Sequence, residues 1–346
     1  MRVEENKILA PLTTFEIGGP ARWFVEATSE AEIEEATAWV RERRLKLLVL
    51  GGGSNLLVAD RGFDGLVLKI GLRGVKFEDR GKLRIYRAAA GQDWSDFAEE
   101  TAAAGCAGLE CLAGIPGTVG GTPVQNVGAY GQEVGNSIER VRAFDLDEQE
   151  FVEFTAAECG FAYRRSRFNT VDRGRYVVTR VDFRVTPGGR ATVGYYDLER
   201  ILGSHTAETS PAKAASMVKT VRQTKGMLLV AGDVDCRSAG SFFKNPLVSA
   251  EQAARIAENA KTKPPQYPVE DSELIKIPAA WLIEHAGFRK GYARGRAAIS
   301  SKHTLALVNL GGATAVEVLA LAAEIVSTVE ACFGVRLEIE PVRAGF

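Results

Sequence analysis

Three kinds of stretch in this 346-residue chain carry residue types and spacings that could hold a ligand or do chemistry. Gly51-Gly52-Gly53-Ser54-Asn55 follows an apolar run directly. Glycines let a backbone approach a ligand and take positive φ, so successive N–H groups can converge on a phosphate as an anion nest. A tight turn has the same composition, so the loop alone leaves both readings open. Two familiar phosphate motifs fail: there is no G-x-x-x-x-G-K-[ST], and Leu56 stands where the third glycine of G-x-G-x-x-G would fall. A second stretch, Gly114 to Gly131, is long, uncharged and rich in backbone amides, with Thr118, Gln125, Asn126 and Tyr130 at fixed places. It suits a large neutral ring system plus a diphosphate, amides replacing cationic side chains. A linker is the alternative, but Ile115, Val119, Val124 and Val127 are interleaved throughout. The third kind is basic. Tyr163-Arg164-Arg165-Ser166-Arg167 holds three arginines, and 211–225 holds Lys213, Lys219, Arg222 and Lys225 with no acid, the spacing of three placing Arg222 and Lys225 on one helical face. A guanidinium can grip a carboxylate bidentately. A solvated basic turn and a solvated basic helix face are the alternatives.

These residues must be positioned by elements that the periodicity predicts. Ser29 and Glu32 make a capping box ahead of an amphipathic helix through Ile33, Ala36, Thr37 and Val40. Leu45–Leu50 reads as a buried strand running into the first glycine loop, and shorter strands are expected at 66–70 and 83–88. A helix over 94–104 precedes the glycine-dense region, where nine glycines fall in the thirty-one residues from Gly105 to Gly135. Strands resume at 138–145, 151–154 and 176–185, the last alternating in period two. After a polar insertion at 186–209, Ser210-Pro211 opens a helix with Ser at N-cap and Pro at N1. Further elements follow at 249–261, 278–286, 304–309 and 314–333, with a terminal strand at Val335–Glu340. The length exceeds what one core usually serves, about 250–300 residues. We expect a strand-rich domain at 1–205, in two subdomains split near 70, and an α+β domain at 206–346.

Composition excludes several classes of function. Lys plus Arg total 43 against 44 Asp plus Glu, so nucleic-acid or membrane partners held by bulk charge are not expected. The first residues carry Glu4 and Glu5 without an apolar run, so no secretory signal is expected, and no uncharged stretch could span a bilayer as a helix. Five scattered cysteines without a C-x-x-C pair read as inert thiols of the cytoplasm, and His205, His285 and His303 show no metal spacing.

The glycine loops now carry a resemblance. GIPGTVGGTPVQNVGAYG together with GGGSNLL resembles the UDP-N-acetylenolpyruvoylglucosamine reductase (MurB) family, within the wider vanillyl-alcohol-oxidase-like (PCMH-type) FAD fold. TTFEIGG at 13–19, CGFAYRRSRF at 159–168, AGSFFKNP at 239–246 and AAWLIE at 279–284 are similar to that family's other blocks, in the same order. The resemblance runs from about residue 11 to 343, and the 186–209 insertion suggests the longer-loop branch. It implies an α+β fold with a PCMH-type FAD-binding domain in two lobes, a C-terminal substrate-binding domain, and a last strand that returns to the active site.

The activity implied is reduction of UDP-N-acetylglucosamine-enolpyruvate through dissociable FAD with NADPH as co-substrate, in peptidoglycan precursor synthesis by a cytoplasmic monomer. Ser241 then matches the proton donor, although without the family it reads as a loop serine. Arg164 matches the arginine beside the developing charge, and Glu340 the catalytic carboxylate, with Glu338 as the alternative register. Gly51, Gly52, Gly53, Ser54, Asn55, Ile115, Thr118, Gln125 and Arg222 match cofactor-binding positions. Tyr163, Lys225, Asn245 and Tyr195 match substrate-binding positions, Tyr196 being the alternative to Tyr195; no metal is expected. An FAD oxidase of a small alcohol would predict no AGSFFKNP block. A nucleotide-sugar sensor without turnover would be expected to have lost Ser241, Arg164 or the glutamate.

Overall fold

The structure, a computed structural model, describes residues 1–191, 209–269 and 272–346. The chain forms two compact units. The first comprises Met1–Lys7, Ala21–Gly53 and Asp64–Thr224, the second Ile8–Pro20, Ser54–Phe63 and Lys225–Phe346. The expected boundary near 205 lies outside the described residues, as do Tyr195 and Tyr196.

In the first unit, a four-stranded sheet runs in the order Glu4–Ile8, Pro20–Ala27, Phe63–Ile70, Leu47–Leu50. A larger sheet runs Glu150–Thr155, Ile138–Asp145, Tyr176–Pro187, Leu83–Ala89, Val75–Arg80, each strand antiparallel to the next. Three longer helices carry local signals that start them. Ser29 accepts from the Glu32 amide for Glu30–Arg43, and Asp93 from the Asp96 amide for Trp94–Ala103. Ser210 accepts from the Lys213 amide for Pro211–Thr224, with Pro at the first turn where its missing N–H costs nothing. Trp94, Phe97 and Phe183 are fully buried, and the Phe97 and Phe183 rings lie 5.2 Å apart.

The expected buried strand at 45–50 is instead a short edge strand. Among the described residues Leu47–Leu50 pairs, in parallel, with Phe63–Ile70 on one side only, Val49 is 38% exposed, and Leu50 is the one buried residue of the strand. An apolar run cannot show whether a strand has one neighbour or two.

In the second unit, Phe15, Ile17, Leu57, Phe242, Phe243, Leu282 and Leu321 share one buried cluster. The 13–17 segment is tied in by polar contacts as well: Thr14 Oγ1 donates to the Ser238 carbonyl at 2.6 Å and Asn309 Nδ2 to the Phe15 carbonyl at 3.0 Å. The helix Ala315–Phe333 starts at a capping box of Thr314 and Glu317, and the Asp60 carboxylate accepts the Ala315 and Val316 amides at 2.7 and 3.2 Å. No helix among the described residues is long and apolar enough to cross a membrane.

The terminal strand expected at Val335–Glu340 is also displaced. Val335 and Leu337 are buried and Arg336 and Glu338 exposed, the alternation that suggested a strand, yet the segment makes only an isolated bridge from Ile339 to Phe243. Regular pairing begins after Pro341, where Val342–Ala344 runs parallel to Leu56–Val58.

Phe97→Ala empties a site with 1% exposure among three aromatic neighbours. Urea unfolding followed by tryptophan fluorescence should show a loss of about 3–5 kcal/mol with an unchanged denaturant slope.

Candidate active site

Each unit contributes its own set of the residues singled out above. In the first unit the two glycine loops meet. Gly51-Gly52-Gly53 leaves the edge strand Leu47–Leu50, and Gly53 has φ +63°. A Cβ on Gly52 would lie 2.6 Å from Cα of Gly117, and one on Gly51 would lie 2.7 Å from Oγ1 of Thr118. Only residues without side chains allow that approach. The Gly117–Gly120 backbone is held in turn by the segment before the Trp94–Ala103 helix. The Trp94 amide donates to the Gly117 carbonyl, and the Val119 and Gly120 amides donate to the carbonyls of Gln92 and Ala90. The amides of Gly51, Gly52 and Gly53 have no carbonyl acceptor among the described residues, and Gly52 is exposed.

The basic helix has a solvated face that carries Lys213, but Arg222 lies off it. Arg222 is 8% exposed, its Nε donates to the Gly114 carbonyl at 2.9 Å, and its guanidinium also bonds Tyr130. Burial pulls its pKa below the ordinary arginine value, and the Tyr130 oxygen opposes the shift. Lys219 pairs with Glu99 at 2.7 Å, and Glu99 accepts from Ser95, whose Oγ accepts the Gly114 amide. The helix ends at Thr224, so Lys225 does not share a helical face with Arg222 as the spacing suggested. Gly226, at φ +63°, ends the turn in which Lys225 lies.

Arg164 has φ +55° and donates from Nη2 to the Gly128 carbonyl at 3.1 Å, with its guanidinium 5.4 Å from the Tyr163 ring centroid. The Asn169 side chain donates to the Arg164 carbonyl at 3.0 Å. One of the polar residues noted in the glycine stretch holds this turn. Asn126 is 1% exposed with φ +45°; its oxygen accepts the Gly135 amide, and its nitrogen donates to Glu133 and to the Ala162 carbonyl. The available signal was an amide side chain fixed inside an uncharged glycine stretch, where few other groups can satisfy a backbone. Ile115 and Gln125 are half-buried in the same loop.

In the second unit Phe242 joins two neighbours. Its amide donates to the Leu305 carbonyl at 2.8 Å, and its carbonyl accepts the Glu340 amide at 3.0 Å. Ser241, half-buried, precedes it and follows Gly240 at φ +70°. The same register places the Lys244 amide on the Glu338 carbonyl, and the two side chains pair at 3.1 Å in solvent. Glu338 is thereby engaged outside, while Glu340 is half-buried beside Phe242. Asn245 Oδ1 accepts the Ala279 amide at 2.9 Å and so caps the Ala279–His285 helix, whose Pro278 has no capping side chain. Ser54 and Asn55 belong to this unit, where the Asn55 carbonyl accepts the Val342 amide.

An FAD binding domain family model matches residues 21–153, and the model of the UDP-N-acetylenolpyruvoylglucosamine reductase C-terminal domain matches 232–344. The chain is 46% identical over 346 residues to the UDP-N-acetylenolpyruvoylglucosamine reductase of Streptomyces coelicolor, covering 97% of this chain and 89% of that protein. It is 43% identical over 350 residues to the enzyme of the same name from Thermobifida fusca, covering 98% and 97%. The crystal structure of the Thermus caldophilus UDP-N-acetylenolpyruvylglucosamine reductase matches with a TM-score of 0.68 and 28% identity over 99% of both chains.

Two outcomes test this geometry. Gly52→Ala puts a methyl against the Gly117 backbone, and the purified variant should lose bound flavin, read as the 450 nm absorption per polypeptide, while far-UV circular dichroism stays unchanged. Burial pushes the Cys111 and Cys159 thiols up to about 12, so both remain protonated at pH 8. Iodoacetamide at pH 8 should therefore leave both unmodified in the folded protein and alkylate both in urea, as read by mass spectrometry.

Proposed function

We propose a function from the following premise: the chain belongs to the UDP-N-acetylenolpyruvoylglucosamine reductase family. It is a flavin-dependent oxidoreductase of α+β fold with an FAD-binding domain. The first unit fits the cofactor. Its two glycine loops pack so closely that a Cβ on Gly52 would meet the Gly117 backbone, they offer backbone amides in place of cations, and Arg222 is buried with the Gly114 carbonyl and a phenol as partners. Gly51, Gly52, Gly53, Thr118 and Arg222 would hold FAD, with Ser54, Asn55, Ile115 and Gln125 completing its contacts.

The reaction we assign is the reduction of UDP-N-acetylglucosamine-enolpyruvate to UDP-N-acetylmuramate with NADPH, a step of peptidoglycan precursor synthesis in the cytoplasm. FAD, when bound, would supply the hydride-transfer chemistry between NADPH and the enolpyruvyl group. What remains for the protein is a developing enolate, whose charge spreads over the adjacent carbon and the carboxylate. Arg164 holds that carboxylate and stabilises the charge, its backbone fixed by Asn169 and its side chain by the Gly128 carbonyl. Ser241 gives its hydroxyl proton to the carbon. A serine is a weak acid, but a carbanion-like enolate is a strong enough base to take the proton. Glu340 assists the proton transfer. Tyr163, Lys225, Asn245 and Tyr195 bind the substrate, with Lys225 on its phosphates.

The observation that carries the reading is the register around Phe242. It sets Ser241 and Glu340 on adjoining backbone segments and sends Glu338 outward to Lys244, inside the block that the reductase family model matches. The test is stopped-flow absorbance of the FAD-loaded protein. NADPH should bleach the flavin and UDP-N-acetylglucosamine-enolpyruvate should restore it. Ser241→Ala should bleach at a nearly unchanged rate and recover slower by orders of magnitude. Fast recovery in that variant would remove Ser241 from the role of acid.

A further inference from the structure

The second unit buries a carboxylate that the reaction above does not use. Asp235 is 5% exposed, six residues before Ser241, and both its oxygens are engaged by one turn of chain. Ser300 Oγ donates to Oδ1 at 2.6 Å, the Ser301 amide to the same oxygen at 2.8 Å, and Ser301 Oγ to Oδ2 at 2.7 Å. The turn is closed on itself. Ser300 Oγ accepts the amides of Lys302 and His303, the Ser300 amide donates to the Ala306 carbonyl, and the Ala306 amide to His303. Its far side is tied by Thr304 Oγ1, fully buried, which donates to Glu284 at 2.5 Å. One carbonyl of this turn, that of Leu305, accepts the Phe242 amide.

A buried carboxylate with three donors is fixed far more firmly than a loop, because each bond to the charge is strong and the unbonded charge is costly to bury. The chain from Asp235 to Ser241 is thus held at both ends by the same turn: at its start by the carboxylate and just past its end by the Phe242 amide. Gly240 lies between them at φ +70°, its amide donating to Ser238 Oγ at 3.2 Å.

We propose that Asp235, through the Ser300–Leu305 turn, is a positioning residue for Ser241: it sets the place of the hydroxyl from which the proton leaves. The role rests on the reading of Ser241 as the acid. Asp235 touches neither substrate nor flavin in this role. Its loss leaves the acid present but misplaced, and an error of about 1 Å is enough to cost about 100-fold in a transfer of this kind.

The experiment uses the full-length, FAD-loaded protein with NADPH and UDP-N-acetylglucosamine-enolpyruvate, in H₂O and in D₂O. Asp235→Asn keeps the shape and removes the charge. We expect flavin bleaching within about 2-fold of the unaltered protein and recovery slower by about 10- to 100-fold. The solvent isotope effect on recovery should rise, because proton delivery becomes the slow step. Ser301→Ala, which deletes one donor from an exposed residue, should shift recovery and isotope effect the same way by a smaller factor, and it serves if the Asp235 variant fails to fold. Bleaching and recovery slowed alike, or an isotope effect that does not move, would show a structural carboxylate only and overturn the inference. Fast recovery in Ser241→Ala would overturn the acid assignment itself. Slow recovery in Ser241→Ala with unaltered recovery in Asp235→Asn would overturn the positioning role alone.

Discussion

Two lengths of backbone in the first unit pass at a distance that no side chain tolerates. With a Cβ on Gly52 only 2.6 Å from Cα of Gly117, the approach exists solely because Gly52 has no side chain. Much of the surrounding structure serves to fix the second of those lengths. Gly117 is bonded to the amide of Trp94, a fully buried residue whose indole N–H reaches the Leu112 carbonyl, and Val119 and Gly120 are bonded to Gln92 and Ala90. The loop therefore takes its geometry from the core. A glycine-rich segment without such anchoring would be flexible; here it is a rigid surface of amides.

The same economy governs charge. The chain carries −1 overall, so anionic ligands are met by local arrangements and not by a general field. Arg222 is buried with a carbonyl and a phenol as partners, and Asp235 with two hydroxyls and an amide. Leaving such a group unbonded in the interior costs about 1–3 kcal/mol or more, so each of these charges dictates where its neutral partners stand. A buried charge of this kind acts as a fixed point from which nearby loops are measured.

Much of this was legible in the sequence, and the failures have identifiable causes. The helix starts at Ser29, Asp93, Ser210 and Thr314 rest on contacts within four residues, which composition reveals. The glycine loops could be read because only glycine fits their backbones. Sheet position was not legible: Leu47–Leu50 is apolar whether it has one neighbour or two, and Val49 faces solvent because it has one. Val335–Glu340 had the right alternation but makes a single bridge, from Ile339 to Phe243, among the described residues, and partners lie far away in sequence. Lys225 was assigned to a helical face because its spacing from Arg222 is helical, but the helix stops one residue earlier. Asp235 escaped notice because a polar residue holding several neighbouring groups looks, in sequence, like any other polar residue.

The second unit is assembled from three separated pieces, 8–20, 54–63 and 225–346, and its last strand, Val342–Ala344, lies against Leu56–Val58. Closing a contact between partners so distant in sequence is slow compared with local structure. During synthesis the ribosome releases all of the first unit before the second has its final helix or its closing strand. Phe15, Ile17 and Leu57, all buried in the finished protein, are then without most of the cluster that covers them. The nascent chain carries an unsatisfied apolar surface around Phe15, Ile17 and Leu57 until translation has passed Ala344. That interval, set by the order of the pieces along the gene and not by final stability, is when this protein is most exposed to aggregation and to chaperones.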